Sequence, residues 1–244
     1  MSLLEVERLE ARYGLLAAVR QVSFSIEDGE RVALVGANGA GKTTLLRAIA
    51  GAHPHASGRV AFDSVDIGGL PAHRRVPLGI ALVPEGRRLF PGLTVEENLL
   101  VAAGRGRVGR WTVPAVTEAF PMLDPLLGQR ASTLSGGQQQ AAAIARALVT
   151  NPRLLLLDEV SLGLSPVAVQ AVYESLRSLE GSGTTVVLVE QDLTRALAFA
   201  DRVLCVLEGR IVLEGAADTL TREQVTEAYF GLHHGGAAAT GEAV

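Results

Sequence analysis

Apolar positions along the chain fall into short runs separated by glycine-bearing or charged turns. Leu3 to Leu9 and Val19 to Ile26, the second alternating at Val22, Phe24 and Ile26, predict strands. A turn at Glu27-Asp28-Gly29 leads into a third strand, Val32-Ala33-Leu34-Val35, after which the pattern turns helix-like from Leu45 to Ala50, with Gly51 placed as a stop. A polar stretch from His53 to Gly58, a short strand from Arg59 to Phe62 and a loop to Pro77 follow, with Tyr13 expected in the first loop of the chain. Gly79 to Pro84 then predicts another strand, ending in Glu85-Gly86-Arg87-Arg88.

Residues 94 to 150 read as mainly helical. Thr94 and Glu97 form a capping box for a helix continuing through Asn98 to Ala103, and an alanine-rich helix, Ala141 to Val149, is opened by Leu134-Ser135-Gly136-Gly137-Gln138 and stopped by Asn151-Pro152. Leu154 to Leu157 are consecutive leucines, the mark of a strand covered on both faces as in a parallel sheet. Thr185 to Val189 predicts the next strand, and Val203 to Leu207, Glu208-Gly209 and Ile211 to Leu213 a hairpin. The end, His234 to Val244, is small and polar and is expected to be disordered. The class is α/β, with an antiparallel β region at the N-terminus and a mainly parallel sheet.

Composition narrows the function. The net charge of −4 argues against a nucleic-acid binder held by phosphate contacts. The single Cys205 has no internal disulfide partner and sits in an apolar run, which fits a reducing compartment. No stretch approaches the ~18 consecutive apolar residues of a membrane span, and Met1-Ser2-Leu3-Leu4-Glu5 lacks the basic-then-apolar order of a secretory signal. A soluble, cytosolic protein is expected unless a partner holds it at a membrane.

Chemistry concentrates in Gly36-Ala37-Asn38-Gly39-Ala40-Gly41-Lys42-Thr43-Thr44, which lies between a strand and a helix, the context that a phosphate-binding G-x-x-x-x-G-K-[ST] loop requires. A triphosphate must be wrapped closely. Glycines at 36, 39 and 41 let backbone amides turn inward, and the helix start adds unpaired amides and a positive dipole end. Lys42 would reach the β and γ phosphates and Thr43 would ligate Mg²⁺. Lys42 is also the only lysine among 22 basic residues, a placement that chance would produce one time in 22.

Two carboxylates, Asp158 and Glu159, end the leucine strand, at the sheet edge where ligands bind in parallel sheets. Asp158 suits a Mg²⁺ shell, and Glu159 suits orienting or deprotonating a water. Ser135 with Gly136 and Gly137 leaves amides at a second helix start, a weak phosphate signal on its own. Tyr13, ahead of the phosphate-loop strand, fits equally a packing role and a stacking role under an adenine ring.

The order of phosphate loop, Leu-Ser-Gly-Gly-Gln at 134 to 138, Leu-Leu-Leu-Leu-Asp-Glu at 154 to 159 and a strand ending in a polar residue resembles the ATP-binding-cassette ATPases over about residues 3 to 232. The resemblance implies a P-loop NTPase (RecA-like) core over about 1–84 and 151–233, one domain with an inserted helical subdomain over about 85–150. It implies ATP and Mg²⁺ as ligands, held between two cassettes packed head to tail. Gly36 to Thr44 would then be Walker A, facing Ser135, Gly136, Gly137 and Gln138 of the other subunit. Tyr13 would stack on adenine, Asp158 would end Walker B and Glu159 would be the catalytic glutamate. Glu85 would stand with Thr43 and Asp158 near the metal, Gln191 would take the switch position, and Ser161 to Ser165 would cross the dimer.

Three positions depart from the general pattern: Glu85 where most relatives carry glutamine, Gln191 where most carry histidine, and Val160 where proline is usual. None of the histidines at 53, 55, 73, 233 and 234 could take the switch role, so a neutral amide must contact the γ-phosphate. Val83 to Phe90, Leu93 to Leu99, Ser161 to Pro166 and Leu188 to Gln191 are similar to the ATPase subunit of high-affinity branched-chain amino acid importers, of the LivF kind. Glu85 favours that class over urea importers. The resemblance implies two transmembrane permease subunits and, indirectly, a substrate-binding protein as partners, with the chain peripheral on the inner face of the cell membrane. Non-transport relatives acting in DNA repair or translation need a coiled-coil insertion or two cassettes in one chain, and a small P-loop kinase leaves Leu134 to Gln138 unexplained.

Overall fold

A computed structural model describes residues 2–232, so the tail over 234–244 and both histidines at 233 and 234 lie outside the described residues. Strand β1 (Ser2–Tyr13) and strand β2 (Leu16–Glu27) form a long antiparallel hairpin with several register shifts. β3 (Arg31–Val35) follows and leads into α1 (Lys42–Ile49). β4 (Ala56–Phe62) pairs with β1 and carries the short β5 (Val65–Asp66), completing a four-stranded antiparallel sheet of order β2-β1-β4-β5.

The second sheet has six strands. After α2 (Ala72–Arg75) come β6 (Ile80–Val83), α3 (Val95–Ala103), α4 (Val113–Ala119), 3₁₀ helices over Pro121–Leu126 and Ala131–Thr133, and α5 (Gly136–Leu148). β7 (Leu154–Asp158), α6 (Pro166–Arg177), β8 (Thr185–Glu190), α7 (Leu193–Phe199), β9 (Arg202–Leu207), β10 (Arg210–Ala216) and α8 (Arg222–Phe230) close the chain. The strand order is β10-β9-β3-β8-β7-β6, parallel except for the β9–β10 hairpin at one edge.

Every residue of β7 and β8 is buried. Their side chains alternate between two cores, as a period of two demands. Leu154, Leu156, Val187 and Val189 face a core shared with the antiparallel sheet and α1, while Leu155, Leu157, Val186 and Leu188 face the helices, where Phe120, Leu123, Ile144 and Leu148 pack. Truncating one of these leucines to alanine costs about 2 to 5 kcal/mol by the usual cavity penalty. Val160, in place of proline, is fully buried in the helical core.

Three expectations change. Tyr13 is the last residue of β1 rather than a loop residue, because the register shifts let the hairpin run on past Leu9. The stretch expected as loop before Pro77 holds β5 and α2, organised by the buried Arg75, whose guanidinium donates to the carbonyls of Leu70, Ala48, Ile49 and Gly68. Helices α6, α7 and α8 complete the layers around the parallel sheet where the sequence reading assigned no element. α6 is capped by the Ser165 hydroxyl, has Pro166 at its first position and buries Val169, Val172 and Leu176.

Candidate functional site

Register in the parallel sheet brings the candidate residues together. Val35 pairs with Glu190, and Asp158 pairs with Val189, so the loops after β3, β7 and β8 leave the same sheet edge side by side. A Cβ on Gly36, at φ 152°, would sit 2.2 Å from the Val206 carbonyl oxygen, and one on Gly41, at φ 106°, 2.3 Å from the Ala18 carbonyl oxygen. Only glycine lets the loop lie this close to its neighbours. Gly41 is also the N-cap of α1 and supplies no side-chain cap, which leaves the first amides of the helix available to an anion.

Lys42 is buried, and its Nζ donates to the Gly36 carbonyl at 2.6 Å and the Ala37 carbonyl at 3.0 Å, with Glu159 Oε1 at 4.0 Å. Burial pulls the ammonium's pKa down, and the charges of Glu159 and Asp158 oppose that pull. The Thr43 hydroxyl donates to Asp158 Oδ1 at 2.9 Å. Asp158 Oδ2 is buried without a hydrogen-bond partner among the described residues. Burial accordingly pushes the Asp158 carboxyl up from its ordinary range, with the Thr43 bond opposing and the nearby Glu159 and Glu85 adding to it. A desolvated carboxylate with one oxygen unsatisfied is a poor structural element and a good metal ligand.

Glu159 has φ 49°, left-handed backbone for a non-glycine residue, of the kind that costs on the order of 1 to 3 kcal/mol and clusters at functional sites. Its Oε2 accepts from Gln191 Nε2 at 2.8 Å. The carboxylate is thereby fixed between the amide of one loop and the ammonium of another.

Beside this group lies a cleft of about 250 Å³ lined by Tyr13, Leu16, Ala18, Gly39 to Thr44 and Glu159. Tyr13 is half exposed at the cleft, and its ring also meets His53 edge-on at 4.8 Å between centroids. The residue therefore both packs and presents aromatic surface.

Other candidates stand apart. Ser135 is exposed at the start of α5 and does not line the cleft; its hydroxyl accepts from the Gln138 amide at 3.4 Å, and the Gln138 side chain accepts from the Ser135 amide at 2.8 Å. A Cβ on Gly137 would sit 2.7 Å from the Ala168 Cβ, so that position has no room for a side chain, whereas one on Gly136 would meet the Arg87 guanidinium at 3.2 Å and Leu164 at 3.4 Å, a tight fit that a flexible side chain can relieve. Glu85 is exposed and touches neither Thr43 nor Asp158 through a hydrogen bond, acting on Asp158 only through its charge. The sequence reading missed Glu190, a buried carboxylate beside Gln191, and Ser161 and Tyr173, which donate to it. The one signal for it is an acidic residue ending an otherwise apolar strand.

The ABC transporter family matches residues 19–161. The chain is 44% identical over 232 residues to the high-affinity branched-chain amino acid transport ATP-binding protein BraG of Pseudomonas aeruginosa, covering 94% of this chain and 100% of that protein. It is 36% identical over 229 residues to the probable branched-chain amino acid transport ATP-binding protein LivF of Archaeoglobus fulgidus, covering 92% and 97%. Among solved structures, an ATP-binding subunit of an ABC transporter superposes with a TM-score of 0.81 at 29% identity, covering 95% of this chain and 99% of that one. A dimeric ATP-binding cassette in a post-hydrolysis state with ADP and Pi superposes with a TM-score of 0.77 at 27% identity, covering 88% and 98%. By the family match over residues 19–161 and by relatives of this identity and coverage, this chain belongs to the ABC transporter family, as one of its ATP-binding, ATP-hydrolysing subunits.

Proposed function

We propose that this chain is the ATPase subunit of a branched-chain amino acid importer, working as one of two cassettes that close on ATP beneath a pair of transmembrane permease subunits. The reading of the substrate rests on the names of BraG and LivF and on their near-complete coverage of the chain. The carrying observation for the chemistry is the Lys42–Glu159–Gln191 cluster next to Thr43 and Asp158, all on one sheet edge.

In this reading the loop amides and Lys42 hold the phosphates and Tyr13 lies against the base. The Thr43 hydroxyl and Asp158 Oδ2 would hold Mg²⁺, which would neutralise charge on the β and γ phosphates. No group of three His, Cys, Asp or Glu side chains among the described residues could hold a metal by itself, which fits a cation completed by phosphate oxygens and water. Glu159 polarises the attacking water. Gln191 Nε2 carries two protons, so the nitrogen that steadies Glu159 has a second donor for a γ-phosphate oxygen.

The rest of the surface supports the assembly. Ser135, exposed at the α5 N-terminus, is open to the nucleotide of a second cassette. Phe90, half exposed and tied to α3 through Asn98, and the exposed Leu100 and Val101 of that helix offer apolar surface to a permease helix. No helix among the described residues is long and apolar enough to cross a membrane, so attachment to the inner face would come through the permeases, with a substrate-binding protein reached only through them. The chain would act as one domain over 1–233, with a core of about 1–84 and 151–233 and a helical subdomain over about 85–150.

Glu159→Gln tests the mechanism. ATP binding should persist while turnover falls by about 10² to 10³, the scale of one preorganised interaction of roughly 3 to 4 kcal/mol; near-normal turnover removes Glu159 from the reaction. Uptake of leucine, isoleucine, valine and urea by a strain lacking the chain tests the substrate, and loss of urea uptake alone would overturn the amino acid assignment.

A further inference from the structure

We infer that Glu190 is a positioning residue that ties the loop bearing Glu159 to the loop bearing Gln191, with Ser161 and Tyr173 as its anchors. The carboxylate is 3% exposed, and among the described residues its charge is met by neutral donors. Oε1 accepts from the Gln191 amide at 2.9 Å, the Asp192 amide at 3.3 Å and the Ser161 hydroxyl at 2.9 Å. Oε2 accepts from the Tyr173 hydroxyl at 2.6 Å and lies 2.8 Å from the same Ser161 hydroxyl, whose single proton is shared between the two oxygens.

The two amides belong to the loop after β8 and Ser161 to the loop after β7, two residues past Glu159. One carboxylate therefore fixes the separation of two loops whose side chains meet at 2.8 Å. Charged acceptors make the stronger hydrogen bonds, and a site this dry leaves them undiluted by water. Tyr173 reaches in from α6, and burial together with the Glu190 charge pushes its pKa up, so the phenol stays a donor at any working pH. Glu190 does not line the cleft that Glu159 borders. It acts through the Glu159–Gln191 contact, and the inference rests on the catalytic reading of that pair.

Replacing Glu190 itself would strand four partly buried donors at once and risks misfolding, so the test removes one donor at a time, with Ser161→Ala and Tyr173→Phe. In each, steady-state ATP hydrolysis is measured in the wild-type and the Glu159→Gln backgrounds, with folding checked by ATP binding. The expected result is a fall in kcat of about tenfold per lost hydrogen bond to a charged acceptor, with KM for ATP within about twofold. In the Glu159→Gln background, where the group being positioned is gone, the further loss should shrink below about threefold, because residues acting as a unit are not additive. An equal fold loss in both backgrounds, a KM rise with kcat kept, or wild-type kcat in both single variants overturns the inference. Wild-type turnover in Glu159→Gln alone sinks the catalytic reading beneath it, a different failure.

Discussion

Gln191 donates from Nε2 to Glu159 Oε2 at 2.8 Å, which puts a neutral amide where a titrating imidazole would be expected in most relatives. An amide carries no proton to lose near neutral pH. Of the histidines within the described residues, His53 is buried against Tyr13, where burial pulls its pKa down, and no described histidine lines the cleft. The kcat–pH profile of the wild type should therefore show no acid limb at about pH 6 to 7, and Gln191→His should introduce one. Rates measured from about pH 5.5 to 9 decide this, and an identical acid limb in both proteins would falsify the assignment.

Gly36 and Gly39 share the phosphate loop but differ in surroundings. A Cβ at Gly36 meets the Val206 carbonyl oxygen at 2.2 Å, whereas one at Gly39, at φ 81°, meets nothing within 4 Å. Gly36→Ala has to displace β9 backbone and should cost more than about 3 kcal/mol and abolish nucleotide binding. Gly39→Ala bears only the left-handed strain of about 1 to 2 kcal/mol. Urea unfolding of the two variants measures the gap, and equal losses would mean that the loop yields more readily than its packing implies.

The contrast between those glycines also explains what sequence could reveal. The phosphate loop and β7 were legible because each imposes residue types locally: glycines where backbone must pass close, leucines where a strand is covered on both faces. The Glu159–Gln191 and Thr43–Asp158 meetings followed once a parallel sheet was granted, since parallel strands align their carboxyl ends. Glu190 was not legible. Its donors at Ser161 and Tyr173 come from a loop and a helix face whose approach depends on how α6 packs, and the α6 signals at Ser165 and Pro166 were overshadowed by the motif just before them. Tyr13 was misplaced for a related reason, because the register shifts that extend β1 carry no compositional mark.

Cys205 lies opposite Val35 in the sheet and is fully buried, and burial pushes its thiol up to about 11. Reaction with a thiol reagent at pH 8 should proceed only through opening of β9, at a rate that ATP slows and urea accelerates. The linkage sign follows from the raised value: above the unfolded thiol's pKa of about 8.5 the unfolded chain releases a proton that the folded one keeps. That group's contribution to stability is thus full below about pH 8.5 and declines as pH rises toward 11. Rapid labelling of the native protein at pH 8 would contradict the burial.

Asp158 concentrates the tension between stability and binding. It is 1% exposed, one oxygen is held by Thr43 and the other has no hydrogen-bond partner among the described residues, so without a cation its charge is a liability to the fold. Its raised pKa means that this liability is absent below the ordinary carboxyl value of about 3.9 and grows as pH rises through the higher value of the folded group. Asp158→Asn keeps an acceptor for the Thr43 hydroxyl and removes the charge. The nucleotide-free variant should melt no lower than wild type at pH 7.5 and up to about 2 to 4 °C higher for each kcal/mol relieved. Its stabilisation by ATP should lose most of the difference between Mg²⁺ and EDTA, because ligand-linked stability scales with the affinity that the carboxylate supplies. Thermal melts with and without ATP, Mg²⁺ and EDTA make the comparison. A variant that melts several degrees lower without nucleotide, yet keeps the full Mg²⁺-dependent shift, would make Asp158 a structural partner of Thr43 and leave the cation to other groups.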